Sequence, residues 1–418
     1  MNSKERLKST LSHHAPDRIV VDFGATPVTG IHVLAVKHLR EYFGLKNIPV
    51  KVIEPYQMLG QIDDDLMEAM GIDVIGIPPR CNLFGVPSED FKPFKTFWGQ
   101  DVLVPGMLNS HLDKNGDLLV YPEGDMTVSP SGKMPKNGYF FDTIIRQEPF
   151  DDNSLNLKDN TEEFNVYSDF DISYWNAKKR EMEGNTRGVI LNPGGTGFGD
   201  IALVPAPFLK NPKGIRDIQE WYLSTLIRQD YMHAIFEKQC EIALMNLEII
   251  RGIFGNTIDA IYICGADFGT QVSTFCSEET FDELYKPYYT RLNDWIHKNT
   301  EWMSFKHSCG AIESLMSHFI DSGFDIINPV QINAKGMDPE FLKEKYGKKL
   351  TFWGGGVDTQ KVLSFGTSEE VKKQVISQCE ILGKDGGFVF NTVHNVQANV
   401  LVKNLIAMLE GIKEFNGK

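Results

Sequence analysis

The chain has 418 residues, long for one small domain but within reach of a single barrel that carries insertions. With 42 Lys and Arg against 56 Asp and Glu, the formal net charge is −14, which excludes a surface built for nucleic acid or an anionic membrane. No stretch is apolar for long enough to cross a bilayer, and the polar start "MNSKERLKSTLSHH" has no apolar signal segment. The six cysteines (Cys81, Cys240, Cys264, Cys276, Cys309 and Cys379) are scattered without a C-x-x-C pair, which points to a reducing cytoplasm.

The first segment, "NSKERLKSTLSHHAPDR", predicts a short helix and a Pro turn. The turn feeds a buried strand, "IVVDFG", that ends at Asp22. "IHVLAVKHLREYFG" predicts a helix closed by Gly44, and "DDDLMEAMGIDVIGIPPR" a helix, turn and strand. From about 80 to 185 the chain becomes rich in Gly, Pro, Asp and aromatics, with "KNGD" and "PKNGY" as hairpin turns. This stretch reads as a β-rich insertion, and "DDNSLNLKDNTEEFN" within it as a solvated linker or surface loop.

From about 186 the alternation is regular. "GVILNPGG" precedes one long helix, "DIQEWYLSTLIRQDYMHAIFEKQCEIALMNLEIIRGI". "DAIYICGADFGTQ", "EWMSFKHSCG", "FDIINPVQ", "KLTFWGGGVD" and "GGFVFNTVHN" each lead into a helical stretch. With the two early strands this makes eight strand–helix units, which predicts a (β/α)8 TIM barrel, one domain over 1–418 with its β insertion in the N-terminal half.

Active sites of such barrels form where strands run into their following loops. Asp267, His307, Cys309, Gln331, Asp358 and His394 all fall at predicted strand ends. Residues two apart on a strand share a face, so the strand reading sends His307 and Cys309 into the barrel mouth together. An imidazole and a thiolate suit zinc, and His394 at the end of the last strand could complete a three-ligand site. Against this stands the plain reading of His307 and Cys309 as packed strand residues. Asp267 reads equally as a proton-handling carboxylate or a turn aspartate. "NPGGTGFGD" lacks the following helix that a pyrophosphate would need, and reads as a glycine-rich loop letting a ligand approach the backbone. Trp353 reads as a pocket floor or as core.

"KERLKSTLSHHAPDRIVVDFG", "GADFGTQ", "KHSCGAIESLMSHFIDSGFDIINPVQ", "LTFWGGGVDTQ" and "GGFVFNTVHNVQANVLVKNLIAMLEG" together resemble the uroporphyrinogen decarboxylase superfamily. Within it they are most similar to the corrinoid-dependent methyltransferases, among them the methylcobalamin:coenzyme M enzymes and the methyltransferases of O-demethylases. The resemblance implies a (β/α)8 barrel and a zinc held by an H-x-C pair and a cysteine after the last strand. Here the pair is His307 and Cys309, and the third position holds His394 in place of the cysteine. The decarboxylases carry an N-terminal arginine motif for the porphyrinogen carboxylates; "VDFGATPVTGIHV" in that region has no basic residue before Lys37.

What the resemblance implies is methyl transfer between a small-molecule donor, such as a methyl ether, and a corrinoid (methylcobalamin) on a separate corrinoid-binding protein, or a thiol. Zinc on His307, Cys309 and His394 would act as Lewis acid. Asp267 would handle the proton, and Asp22, Gln271, Asn328, Gln331, Asp358 and Asn395 would line the substrate pocket. The alternatives are a metal-free decarboxylase of the same fold and a non-catalytic binding protein that keeps it.

Overall fold

The computed structural model describes residues 1–417. Eight parallel strands follow one another around a barrel: β1 (Val20–Val21), β2 (Val74–Ile77), β3 (Gly188–Leu191), β4 (Ala260–Cys264), β5 (Met303–His307), β6 (Ile326–Asn328), β7 (Thr351–Trp353) and β8 (Phe388–Phe390). Each pairs in parallel with the next from β2 to β8, and β8 pairs with β1. This is the eightfold alternation expected from the sequence. The side chain of Cys264 lies outside the described residues.

Period-2 alternation sorts the strand residues. Val20, Val74, Ile190, Ala260, Tyr262, Phe305, Ile326, Trp353 and Val389 fill the barrel interior. Their neighbours Val21, Val189, Ile261, Ile327 and Phe352 belong to the larger core between strands and outer helices. The interior is solid at mid-height, with the Phe305 ring 5.5 Å from Tyr262 and 5.3 Å from Trp353. Helix α1 (Ser3–Leu11) plugs the lower end with Leu7 and Leu11. Asn2 and Glu5 cap that helix reciprocally. Gly188, the first residue of β3, makes room for the plug, since a Cβ there would lie 2.2 Å from Leu7.

The seam between β1 and β2 is closed by a side chain. Asp73 N–H donates to the Val21 carbonyl at 2.8 Å, and the Asp73 carboxylate accepts Val21 N–H at 3.1 Å. The same carboxylate, fully buried, accepts from Arg6 (2.7 Å), from Arg18 (2.7 and 2.8 Å) and from Ser3 (2.7 Å).

Three local expectations are corrected. The long helix after β3 is two, Ile218–Ile227 and Gln229–Phe254. Arg228 breaks it with φ −129° and ψ 42°, its guanidinium pulled onto Glu220 (2.6 Å) and Asp152 (2.9 Å). The polar run at 151–165 is more than a linker, because Asn160 is buried and bonds both the N–H and the carbonyl of Ile215. The added β structure also begins before residue 80. One antiparallel sheet holds Ser110–Leu112, Leu118–Val120, Gly132–Met134 and Asp142–Thr143. A second sheet, of mixed direction, combines Lys92–Lys95 and Asp101–Val104 with Val50–Glu54 and Leu59–Gly60, which lie between β1 and β2 in sequence. Buried Val50 and Val52 around exposed Lys51 carry the alternation that marks this strand.

Replacing Asp73 by Ala should leave buried Arg6 with Asp17 as its remaining carboxylate partner, take the buried acceptor from Arg18 and Ser3, and open the seam. A loss of about 3–5 kcal/mol is expected, read as the drop in unfolding free energy in a urea titration.

Candidate metal centre and cavity at the barrel mouth

β5 sends Phe305 into the interior, Lys306 outward, and His307 to the inner rim. The strand stops there, so Cys309 lies in the turn beyond it, not on the strand as the alternation argument required. Three contacts bring its thiol back to His307. Asp267 Oδ1 accepts Cys309 N–H at 2.7 Å, and Gln331 Oε1 accepts Gly310 N–H at 2.7 Å. Gly310 itself turns the chain at φ +93°, and a Cβ on it would lie 2.3 Å from the backbone of Gly269. Two glycines thus let the loops after β4 and β5 meet backbone to backbone.

The resulting cluster joins His307, Cys309 and His394, with one possible ligand atom from each, all within 4.8 Å of one another. Cys309 Sγ lies 3.5 Å from His307 Nε2, and the two imidazole rings are 5.7 Å apart at 73°. Tetrahedral zinc with nitrogen at about 2.0–2.1 Å and sulfur at about 2.3 Å spaces its ligand atoms roughly 3.5 Å apart. The set therefore fits such an ion with small closing movements, and the two nitrogens and one sulfur are donors that zinc accepts.

The tautomer of His307 follows from its neighbours. Asn328, level with His307 on β6, donates its amide to the Trp353 carbonyl at 2.7 Å. Its Oδ1 must then face His307 Nδ1, at 2.6 Å, and can only accept. Nδ1 carries the proton, and Nε2 presents its lone pair to the cluster. Burial lowers the pKa of His307 and holds that of His394 at about 4, keeping both imidazoles neutral. Burial, reinforced by the Asp267 carboxylate, raises the Cys309 thiol well above its usual value. A metal arriving here meets two neutral ligands and releases one proton from the third.

On the β1–β4 side of the mouth, lined by none of His307, Cys309 and His394, opens a cavity of about 380 Å³. Its wall includes Glu54, Tyr56, Gln57, Phe208, Tyr262 and the loop Gly194–Gly197 with Asp200. The glycine-rich loop after β3 therefore does bring backbone to a cavity. None of the described side chains lining it is cationic. Burial pushes Asp200 up to about 6 and Glu54 up to about 7.

The remaining sequence candidates hold the loops of the mouth, and none of them lines the cavity. Asp22, pushed up to about 6 by burial, accepts from Trp353 Nε1 at 2.9 Å and from Ala25 N–H at 3.0 Å. Trp353 is core, not pocket floor. Asn395 ties the loop after β8 to Gln57 (2.9 Å) and to the Pro27 carbonyl (2.8 Å). Asp358 caps its own turn through Gln360 N–H at 2.7 Å, and the Gln271 side chain is exposed. Asp267 also approaches His307 Nε2 at 3.5 Å, its side chain 31% exposed. Sequence reasoning overlooked Glu54, Asp200 and Lys306. Buried Lys306 donates to the carbonyls of Ala266 (2.7 Å) and His307 (2.6 Å) and faces the Phe268 ring at 4.8 Å. A lysine inside "MSFKH", otherwise an apolar-rich strand, was the available signal.

Residues 213–415 match the family described as "Uroporphyrinogen decarboxylase (URO-D)". That span runs from before β4 to the C-terminal helix. It contains His307, Cys309 and His394 and leaves out Glu54 and Asp200. Among solved structures, a methyltransferase from Methanosarcina mazei is similar over 99% of this chain and 99% of that one, with a TM-score of 0.55 and 12% sequence identity. At that identity the likeness is one of fold. No curated protein matches the chain.

Replacing Asn328 by Leu removes the acceptor that fixes the His307 tautomer. Metal affinity should fall about 10–100-fold, measured by competition with a chromophoric chelator.

Proposed function

We propose that the chain is a metal-dependent methyltransferase, moving a methyl group between a small donor such as a methyl ether and a corrinoid carried by a separate protein. The observation that carries this reading is the cluster of His307, Cys309 and His394, in a barrel whose mouth also holds a cavity with no cationic side chain among its described lining. Zinc bound there would supply Lewis-acid activation of the heteroatom that bears the methyl group. The protein's own part is positional. Asn328 presents His307 Nε2, while Asp267 and Gln331 hold the turn that presents the Cys309 sulfur. Asp267, partly exposed and 3.5 Å from His307 Nε2, would take or return a proton as the heteroatom–methyl bond breaks. The cavity would hold the rest of the donor.

The family match favours a second reading, a carboxy-lyase of the URO-D type. A porphyrinogen with its many carboxylates would need matching positive charge, and the cavity wall offers two carboxylates instead.

Protein purified without chelator is expected to carry about one zinc per chain, and a His307→Ala, Cys309→Ala double variant almost none. Methyl transfer to cob(I)alamin should fall at least about 100-fold in the His307→Ala variant. Retention of metal and transfer by that variant overturns the proposal. Release of carbon dioxide from a carboxylated substrate by metal-free protein would establish the second reading.

A further inference from the structure

Resting on the methyl-transfer reading, we infer that the cavity selects its methyl donor by charge, taking an uncharged or cationic ring-sized compound and rejecting carboxylates and sulfonates, with Asp200 as the group that meets the ligand. The volume of about 380 Å³ suits a molecule built on one ring. Tyr56, Phe208 and Tyr262 give it aromatic walls, which stack on a ring or attract a cation.

Asp200 is arranged to receive a ligand. Its Oδ1 is engaged by Ala202 N–H at 3.1 Å, while Oδ2 bonds no described residue. Oδ2 and the Tyr262 hydroxyl both crowd Gly265, where a Cβ would lie 3.0 Å from the first and 2.4 Å from the second. A side chain at 265 would push against Oδ2, so glycine there lets the carboxylate keep its place on the cavity wall. Across the wall, Glu54 is fixed by Tyr56 N–H at 2.9 Å and Gln57 N–H at 2.8 Å. Those two bonds set its orientation without supplying a counter-charge.

Buried Lys306, whose charge acts on Asp200 through space and draws its carboxyl down, does not line the cavity. It points to the helix side of β5, where its ammonium holds the carbonyls of Ala266 and His307. An anionic ligand would lose its hydration beside two carboxylates with nothing to replace it. A cationic ligand would find both, and would draw their raised pKa values down as it bound.

The test is isothermal titration of the metal-loaded full chain with three probes of one shape: 4-methoxybenzylamine, 4-methoxybenzyl alcohol and 4-methoxybenzoate. The amine and the alcohol should bind, and the benzoate should bind at least about tenfold more weakly than either. Asp200→Asn should narrow the amine-to-benzoate ratio about tenfold while leaving metal content unchanged. If that variant does not fold, Glu54→Gln carries the same comparison. Benzoate binding as tightly as the amine overturns the inference, as does an unchanged ratio in the variant tested or no binding of any probe. The titration needs no corrinoid. Charge selection without methyl transfer would therefore sink the proposed function alone, and methyl transfer from anionic donors would sink this inference alone.

Discussion

Everything above the barrel floor depends on one carboxylate. β1 and β2 share no ladder, and Asp73 closes the ring by bonding Val21 through both its backbone and its side chain. Arg6 reaches it from α1 and Arg18 from the turn before β1. The plug helix, the first strand and the second are therefore locked by a single buried charge cluster. Such a cluster adds little net stability over an apolar one, but it permits one register only. With the seam fixed, the carbonyl of Ala25 can approach Gly76 so closely that a Cβ there would lie 2.0 Å away.

The two sides of the mouth have different chemistry because different strands build them. β5 and β8 lead to the nitrogen and sulfur donors, and Asn328 and Gln331 at the end of β6, with Asp267 from the loop after β4, act on ligand orientation. β1 to β4 bring carboxylates, aromatic faces and glycine backbone. The loop after β4 joins the sides, with Gly265 on the cavity and Asp267 against Cys309. Lys306 anchors the same loop from outside through the Ala266 carbonyl.

The sequence revealed the sheet order and the metal candidates through repetition and chemistry. Strand runs such as "GVIL" and "FVF" are continuous and apolar because both faces are buried, a mark of parallel barrels. His307, Cys309 and His394 stood out because such side chains are costly to place at the end of an apolar strand without a purpose. The cavity was hidden. Glu54 lies in a segment between two barrel strands, and Asp200 ends a glycine-rich loop whose glycines, and not its carboxylate, point to a ligand in the sequence. The polar candidates chosen instead, Asp358 and Asn395 among them, hold loops together, a role indistinguishable from ligand binding until their partners are placed.

The sequence by itself determined the eight strand–helix units, the three possible ligand atoms and the acidic balance, because each is local in the chain or a sum over it. Only the tertiary structure decided that Cys309 reaches His307 from beyond the strand end, that the helix at 218–254 breaks at Arg228, and that Glu54 and Asp200 share a cavity with Tyr262. Those facts rest on contacts between segments far apart in sequence, such as the meeting of Gly269 with Gly310. No periodicity or spacing encodes such contacts, because they exist only once the ring has closed.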